Sequence, residues 1–239
     1  MKRSWEGLKL IKRIDGRKFD ELRPIEAETG VIPRADGSAR FKIGNTEAIA
    51  AVYGPRGLYP KFLQSQEGAI LRCYYNMMSF SGSGERVRPG PSRRSKEINL
   101  ITEKALFPVL DLSEFPGSTV EVYIELLQTD AGTRCAGINA AAMALADAGF
   151  QMRDIVSAVS IGRIGNQIVA DLNNEEEHHE QGSTDIPIAM LPRTGEISLF
   201  QMDGFIKQNE IQEVLKTAKK AIIQIAKVQQ EALKLRYKK

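Results

Sequence analysis

Apolar and polar residues alternate along the segment 119–127, which has the clearest strand pattern in the chain. One face of that strand would carry Val120, Val122, Ile124 and Leu126. The alanine-rich segment 138–148 follows, and its strong helix formers predict a helix that ends at Gly149. A small polar turn, 128–137, joins the two elements. The pattern therefore predicts a strand, a turn and a helix in close succession.

Short apolar runs separated by turn residues fill the rest of the chain, and they are typical of antiparallel sheet. In the first part, strands are predicted over 23–29, 39–43, 48–53 and 69–75, with turns at 35–38 and 44–46. The run 48–53 is apolar throughout, which indicates an interior strand. After residue 150, strands are predicted over 155–162, 167–172, 186–191 and 196–202.

Two further helices are predicted from apolar residues at helical spacing. The first follows Arg93 and Arg94, and its apolar positions are Ile98, Ile101, Thr102, Ala105 and Val109. The second begins near Glu210 and runs to the C-terminus, with a stripe through Ile211, Leu215, Ala218, Ile222, Ile225, Gln229 and Ala232. The second helix is interpreted as structural.

Length and composition indicate a globular protein. The 239 residues are 42% hydrophobic, and a chain of this size buries roughly 70–75% of its unfolded surface. The sequence has no apolar run long enough to cross a bilayer, and its first residues lack the apolar core of a signal peptide. A cytoplasmic protein that makes no use of a membrane is therefore expected.

Cysteine and histidine are scarce, which narrows the possible chemistry. Cys73 and Cys135 lie far apart and are expected to be small core residues, not a disulfide or zinc site. The alternative for Cys135, beside Arg134, is a thiol of lowered pKa. The two histidines, His178 and His179, are adjacent, which argues against a Ser-His-Asp triad and multi-histidine metal sites. Arginine and carboxylate side chains therefore remain as the main candidates for binding and catalysis.

The turn before the alanine-rich helix has the composition of a phosphate site. Amide groups at a helix start have no intrahelical partner, and the positive end of the helix dipole attracts anions. Gly132 would allow close backbone approach, Thr133 adds a hydroxyl, and Arg134 adds a planar donor pair. No glycine-rich fingerprint of fixed spacing is present. A capped helix start with a surface arginine is the alternative.

A second basic group lies in the segment 79–95, which is rich in Gly, Ser and Pro. The net charge of +3, from 33 basic and 30 acidic residues, is too small to hold a polyanion, so a local cluster is needed. This segment contributes Arg86, Arg88, Arg93 and Arg94. Arg93 and Arg94 oppose the dipole of the helix that they precede, and contact with a phosphodiester backbone would explain their position. The alternative is a flexible linker.

Acidic residues are concentrated in the segment 173–185. Such clusters are usually only solvated. Asp185 differs from the others because it adjoins the apolar strand 186–191, where a carboxylate is held in place and can bind Mg²⁺ or donate a proton.

Nine short motifs occur in an order that resembles the RNase PH family of phosphorolytic ribonucleases, in particular the catalytic ring subunits of archaeal exosomes. The motifs lie at 15–17, 35–38, 44–46, 53–55, 93–95, 129–134, 146–149, 152–154 and 184–190. The resemblance covers nearly the whole chain. It implies an α+β fold of ribosomal protein S5 domain 2-like βαβ units in two parts.

The resemblance also implies a division of the chain. Residues 1–14, which are basic and mixed, would form an N-terminal extension over the surface, 15–150 the first part of the core, and 151–239 the second part with the C-terminal helix. The halves would meet near residue 150, and the cleft between them would contain both Arg134 and Asp185. The two halves show no visible sequence repeat.

By the same resemblance, particular residues acquire roles. Inorganic phosphate, the co-substrate, would be held by Gly132, Thr133 and Arg134. The RNA 3′ end would be held by Arg93 and Arg94, and the loop of Lys61 would narrow the entry. Asp185 would be the catalytic carboxylate and a ligand of Mg²⁺. The sequence departs from the pattern at His179, where bacterial members carry a second acid, and at 183–184, where archaeal members often have Glu-Ala.

The implied activity is 3′-to-5′ degradation of single-stranded RNA by phosphorolysis, which releases nucleoside diphosphates. The implied partners are a paralogous inactive subunit, which alternates with this one in a hexameric ring, and RNA-binding cap proteins. Two alternatives remain open. One is a non-catalytic RNA-binding ring subunit, and the other is a bacterial-type homo-oligomer that trims tRNA ends.

Overall fold

Two β-sheets and three long helices make up the residues that this computed structural model describes, 13–179 and 183–238. The strands are β1 (Ile25–Thr29), β2 (Gly37–Ile43), β3 (Thr46–Gly57), β4 (Ile70–Met77), β5 (Ser118–Gln128), β6 (Ser157–Ile164), β7 (Gln167–Ala170), β8 (Ser183–Met190) and β9 (Ile197–Phe200). The helices are α1 (Arg93–Leu106), α2 (Thr133–Asp147), the short α3 (Asn174–Glu177) and α4 (Ile211–Tyr237). Short 3-10 helices cover Lys61–Leu63, Phe107–Val109 and Gln208–Glu210.

The first sheet has five strands in the order β1-β2-β3-β5-β4. Strands β1, β2, β3 and β5 pair antiparallel, whereas β4 pairs parallel to β5, to which α1 connects it. The interior position predicted for 48–53 is confirmed, because β3 pairs on both edges. The four predicted inward residues of β5 are fully buried.

The second sheet has four strands in the order β7-β6-β8-β9, and every described pairing in it is antiparallel. Strand β8 begins earlier than the apolar pattern predicted. Its pairing with β6 extends from Met190 to Ser183, so Asp185 lies within the strand, opposite Gly162, and not before it. The polar residues 183–185 continue the strand because β6 supplies their backbone partners.

Helix α2 lies at the centre of the molecule and contacts strands of both sheets. The prediction of a helix here is confirmed, but its start is wrong: α2 begins at Thr133 and not near residue 138. Gly132 adopts a left-handed conformation with φ 63°, and the polar residues after it already form the first helical turn. The helix ends at Asp147, shortly before Gly149 with φ 84°.

Small residues let α2 approach both sheets closely. Its segment from Ala140 to Leu145 is fully buried. At Gly37 in β2, a Cβ atom would lie only 2.3 Å from the Ala148 backbone nitrogen, so only glycine fits there. Buried apolar residues from both sheets form one continuous core. The division at residue 150 stays a prediction.

Helix α4 packs along both sheets through the predicted stripe, in which Ala218, Ile222 and Ile225 are buried. The stripe includes the fully buried Gln229, whose Oε1 accepts a hydrogen bond from Ser157 Oγ at 2.5 Å. Asn139 of α2 pairs with the backbone of Ala158 at 2.7 and 2.8 Å. These polar contacts fix α2 and α4 against β6, because buried polar groups are costly without partners.

The N-terminal residues that the structure describes are anchored in the interior. Arg13, predicted to lie in a surface extension, is 5% exposed and makes paired contacts of 2.8 Å with Glu176. It also donates to the backbone oxygens of Ala170 and Asp171 at 2.8 Å. The prediction is wrong for Arg13 because its charge is paired in the interior; residues 1–12 lie outside the described residues.

The structure bears on two predictions from composition, the state of the cysteines and the lack of a membrane-spanning segment. Cys73 and Cys135 are both buried and free, as predicted for small core residues. No helix within 13–179 and 183–238 combines the length and the apolar character that crossing a bilayer requires.

Candidate active site

A cavity of about 380 Å³ opens where the start of α2 faces the second sheet. Most of the predicted site residues line it: Arg94, Gly132, Thr133, Arg134 and Asp185. Its other walls come from Met77, Gly82, Ser83, Gly84, Thr129, Ala131, Cys135, Ser160, Asn174, Glu177, His178 and Pro187. An adjoining cavity of about 280 Å³ shares Arg94, Arg134, Glu177, His178 and Asp185. The predicted meeting of Arg134 and Asp185 in one cleft is confirmed.

The turn before α2 is held rigidly from behind. Ala131 and Gly132 both adopt positive φ angles, 57° and 63°. Thr46, fully buried, donates from its hydroxyl to the Ala131 oxygen at 2.7 Å and accepts from the Asp130 amide at 3.0 Å. Arg23 donates to the Asp130 oxygen at 2.5 Å. The left-handed residues therefore stay in place without a ligand.

The first turn of α2 contains hydrogen-bond donors that have no partner within the described residues. Gly132 has no side chain to cap the helix start, so the leading amide groups remain available to an anion. Arg134 contacts Glu97 at 3.5 Å. Its Nε atom is buried and has no hydrogen-bond partner within the described chain. A buried donor without a partner is unusual, and it is expected where a ligand supplies the acceptor.

Arg94 reaches the same turn from α1. Its guanidinium donates to the Thr133 hydroxyl at 3.3 Å. Ser92 caps α1 by accepting from the Ser95 amide at 3.0 Å, which holds the start of this helix in an ordered position. Arg93 and Lys61, by contrast, do not line the cavity. The structure therefore separates Arg94 from the other two predicted RNA contacts.

Asp185 faces the two arginines from the second sheet. Its Oδ1 accepts a short hydrogen bond from Ser160 Oγ, and its backbone pairs with Asp203 at 2.8 and 3.0 Å. Burial raises the pKa of Asp185, while the Ser160 hydrogen bond and the charge of Arg134 offset part of the rise. The carboxyl group is thus rigidly held and costly to ionise, a combination common at functional sites.

Glu177 is a second carboxyl group of the cavity that the sequence did not reveal. It ends α3, and burial together with the negative charge of Asp185 raises its pKa. His179, the residue at the spacing of the bacterial second acid, instead lines a small pocket with Arg13 and Glu176. His179 thus stands as the departure from the bacterial pattern, whereas Glu177, two residues earlier, lines the cavity; Asn173 at the N-cap marks where α3 begins.

Cys135 lines the cavity but has the wrong chemistry for a nucleophile. It is 5% exposed, and burial raises its pKa well above the usual value, with the charge of Asp185 adding to the rise. The alternative of a thiol with lowered pKa is wrong, because burial outweighs the opposing effect of Arg134.

A cavity with helix amides and two arginines on one wall and two carboxyl groups opposite is typical of proteins that act on phosphate esters. Residues 21–151 match domain 1 of the 3′ exoribonuclease family RNase PH, and residues 154–221 match its domain 2. The chain belongs to the RNase PH family of 3′ exoribonucleases.

Individual relatives agree with this assignment. The chain is 51% identical over 238 residues to exosome complex component Rrp41 of Pyrococcus abyssi, with 98% of this chain and 94% of that protein covered. It is 46% identical over 225 residues to exosome complex component Rrp41 of Methanopyrus kandleri, with 94% and 93% covered. The crystal structure of rice Rrp46 superposes with a TM-score of 0.82 at 22% identity, covering 93% of this chain and 100% of that one. That likeness supports the fold.

Proposed function

We propose that this chain is the catalytic subunit of an exosome-type ring and degrades RNA from its 3′ end by phosphorolysis. The observation that carries the proposal is the buried Arg134 Nε, a donor without a partner in the described chain, beside the uncapped start of α2. Inorganic phosphate has the size, charge and acceptors that such a site satisfies. Arg134, Thr133 and the amide at Gly132 are the proposed phosphate ligands.

The proposed reaction follows from the two walls of the cavity. An oxygen of the bound phosphate attacks the phosphorus of the terminal phosphodiester, and the bond from that phosphorus to the preceding 3′ oxygen breaks. The products are a nucleoside diphosphate and RNA one nucleotide shorter. Arg94 and Arg134 neutralise the negative charge that gathers between two approaching phosphates. We assign the binding of the RNA 3′ end to Arg94, with Arg93 and Lys61 as outer contacts.

The departing 3′ oxygen requires a proton, and the carboxyl side of the cavity can deliver it. Asp185, held by Ser160, and Glu177 both have raised pKa values, so each is easier to protonate than an exposed carboxyl group. We propose Asp185 as the catalytic carboxylate. Glu177 supports it electrostatically, since each charge makes the other harder to ionise.

The same two carboxyl groups also fit a magnesium ion. Within the described residues no cluster of three or more Asp, Glu, His or Cys side chains has the arrangement of a metal site. Mg²⁺ needs less, because it commonly keeps several waters and binds through one or two carboxylates together with substrate phosphates. Asp185 and Glu177 would hold it in their ionised forms, as the alternative to proton donation by Asp185, and the ion would supply positive charge to the transferring phosphoryl group.

A heteromeric ring is the proposed setting. The relatives named above are exosome complex components, and this chain leaves apolar side chains exposed around its edge strand β9. They are Ile197, Phe200, Met202 and Phe205, the last 69% exposed. Exposed apolar patches of this kind mark interaction surfaces. We propose an RNase PH-like paralogue as the ring partner, with cap proteins and single-stranded RNA bound by the assembly; cytoplasmic localisation stays a prediction.

One incubation tests the activity. Single-stranded RNA is treated with the chain, alone and mixed with its RNase PH-like paralogue, with and without inorganic phosphate, and products are separated. Nucleoside diphosphates should form only with phosphate, and activity should rise together with native mass when the paralogue is added. Nucleoside monophosphates without phosphate would show hydrolysis instead. A fully active homohexamer that ignores the paralogue would favour the bacterial-type alternative.

The non-catalytic alternative has no comparable support. A subunit that only binds RNA does not need a buried carboxyl group held by Ser160 opposite an arginine with an unpartnered donor. Both features are present in this chain. Absence of product under every condition in the same incubation would revive that alternative.

A further inference from the structure

Asp130 carries a negative charge directly beside the proposed anion site, two residues before Gly132. A free carboxylate at this point would repel phosphate. Its side chain is 22% exposed, and Asp130 does not line the cavity. Arg23 balances part of the charge, since its guanidinium lies 3.4 Å from Asp130 Oδ2. A role other than contact with the ligand must therefore account for the carboxylate.

The backbone and the side chain of Asp130 have different partners. The backbone amide donates to Thr46 Oγ1 at 3.0 Å, and the backbone oxygen accepts from Arg23 at 2.5 Å. The carboxylate instead accepts from the Asn174 backbone amide at 3.0 Å through Oδ1, and from Asn45 Nδ2 at 3.2 Å through Oδ2. The turn before α2 is thus held through its backbone, whereas the carboxylate reaches out to α3.

Asn174 is the first residue of α3, a helix of only four residues. So short a helix is not stable by itself, and its leading amides need acceptors from outside. Asn173 and Glu176 satisfy two of these amides for each other, at 3.1 and 2.8 Å. Asp130 accepts from the amide between them, and a carboxylate suits the positive end of a helix. The first turn of α3 is therefore completed by a residue 44 positions earlier in the chain.

Helix α3 brings Glu177 to the carboxyl wall of the cavity, and Asn174 lines the same cavity. The backbone oxygen of Glu177 accepts a short hydrogen bond from the Ser183 hydroxyl on β8. Helix α3 thus spans the distance from the turn before α2 to the strand that carries Asp185. The turn lies in the part of the chain that matches family domain 1, and α3 lies in the part that matches domain 2.

We propose that Asp130 is a positioning residue that fixes α3, and with it Glu177, relative to the phosphate-binding turn. This inference rests on the proposed active site. Asp130 touches neither substrate; it acts through the Asn174 amide. The hydrogen bond sets the separation between the wall that binds phosphate and the wall that carries the carboxyl groups.

The first test is Asp130→Ala in the assembled ring, with phosphorolysis measured at varied inorganic phosphate. Loss of one hydrogen bond to a charged group lets α3 leave its place at the cavity, which should lower kcat by about 10-fold. The KM for phosphate should stay within about twofold, because Thr46 and Arg23 still hold the backbone of the turn. An unchanged kcat, with or without a raised KM, would overturn the inference.

Two matched variants separate this hydrogen bond from the other contacts of the side chain. Asn45→Ala removes the partner of Oδ2 and leaves the contact with Asn174, so its kcat should match the parent. Asp130→Asn keeps an amide oxygen that accepts from Asn174, so it should recover most of the kcat lost in Asp130→Ala. An Asn45→Ala variant as slow as Asp130→Ala, or no recovery in Asp130→Asn, would contradict the proposed route.

A double substitution tests whether Asp130 acts through Glu177. In a Glu177→Gln background, Asp130→Ala should lower kcat by less than about twofold, because the side chain that it positions is already altered. An equal loss in both backgrounds would overturn the inference. So would a Glu177→Gln variant as active as the parent, since Asp130 would then have nothing to position.

Hydrogen exchange followed by mass spectrometry tests the hold on α3 without catalysis. In Asp130→Ala, amides of residues 173–178 should exchange faster than in the parent, while those of α2 keep the parent rate. Unchanged exchange in 173–178, faster exchange throughout the chain, or an unfolded variant would overturn the inference. If the parent releases no nucleoside diphosphate, the proposed phosphorolysis fails, and the exchange comparison still decides whether Asp130 holds α3 in place.

Discussion

Two groups of arginines in this chain have similar carboxylate neighbours and opposite uses. The anchoring arginines, Arg13 and Arg23, are 5% and 7% exposed, and each makes a two-pronged contact with one carboxylate. The cavity arginines, Arg94 and Arg134, make single side-chain contacts of 3.3 and 3.5 Å, with Thr133 and Glu97, within the described residues. The difference shows that an arginine paired at two points with a buried carboxylate holds the fold, whereas one with a single contact is available to a ligand.

The cause lies in what each group faces. The anchoring arginines join the N-terminal residues to Asp171 and Glu176, carboxylates that are themselves 3% and 1% exposed. A buried charge needs an opposite charge beside it, and Asp171 and Glu176 supply that charge to the anchoring arginines. The cavity arginines face an opening of about 380 Å³, where water or an anion can satisfy them. Stability and binding should therefore respond to different substitutions.

The largest expected effect is on stability, from Arg13→Ala. Glu176 would remain buried without its partner, which costs about 3–5 kcal/mol in the free energy of unfolding. Denaturant unfolding measures it, and Arg94→Ala is the matched control, expected within about 0.5 kcal/mol of the parent. Equal losses in the two variants would abolish the distinction between the groups.

Next comes Asp185→Asn, which should reduce nucleoside diphosphate release by at least about 100-fold, a typical loss for a group that manages transition-state charge. RNA binding should stay within about twofold. The folded pKa of Asp185 lies above its unfolded value, so its ionised form lowers stability at neutral pH, and that cost disappears as pH falls through the folded pKa. The neutral variant should therefore be at least as stable as the parent. Retained activity would remove the catalytic assignment.

Arg134→Ala sharpens the comparison within the cavity. Removing one charge-assisted contact should cost roughly 1.5–3 kcal/mol, about 10- to 100-fold in phosphate use. Excess inorganic phosphate should restore part of the rate, because binding and not chemistry is weakened. A variant whose phosphate dependence matched that of the parent would show that Arg134 is not the anion ligand.

The smallest effects are expected for RNA binding through Arg93 and Arg94. Each lost phosphate contact should weaken binding and lower the slope of log affinity against log salt by about 0.7 for single-stranded RNA. Comparing Arg93→Ala with Arg94→Ala separates the residue outside the cavity from the one that lines it. An unchanged slope in both variants would return the pair to a linker role.

Local patterns predicted most elements because each pattern reflects one dominant force. The alternation in β5 follows burial of a single face, and the stripe of α4 follows packing on one side. Errors occurred where long-range contacts decided the outcome. Polar residues 183–185 joined β8 because β6 offered backbone partners, and Thr133 joined α2 because Thr46, far away in sequence, holds the turn at Asp130 and Ala131 directly before it.

The sequence predicted five residues that line the candidate site but missed Glu177. Gly132, Thr133, Arg134, Arg94 and Asp185 all line one cavity. Glu177 was missed because its acidic neighbours in sequence, Glu175 and Glu176, have the same chemistry and differ only in the direction that α3 gives them. Glu176 faces Arg13 in the interior, whereas Glu177 faces Asp185 across the cavity.

By itself, the sequence determined the secondary-structure alternation, the scarcity of histidine and cysteine, and the motifs that place the chain in its family, since each is a property of neighbouring residues or of composition. The tertiary structure alone decided which charged side chains are fully paired within the protein and which keep hydrogen-bond donors for a ligand. Arg13, predicted to lie in an N-terminal extension, became an interior anchor, and Glu177 of an acidic run came to line the cavity. Such roles depend on partners far away in sequence, because burial and unpaired donors arise only when the whole chain has folded.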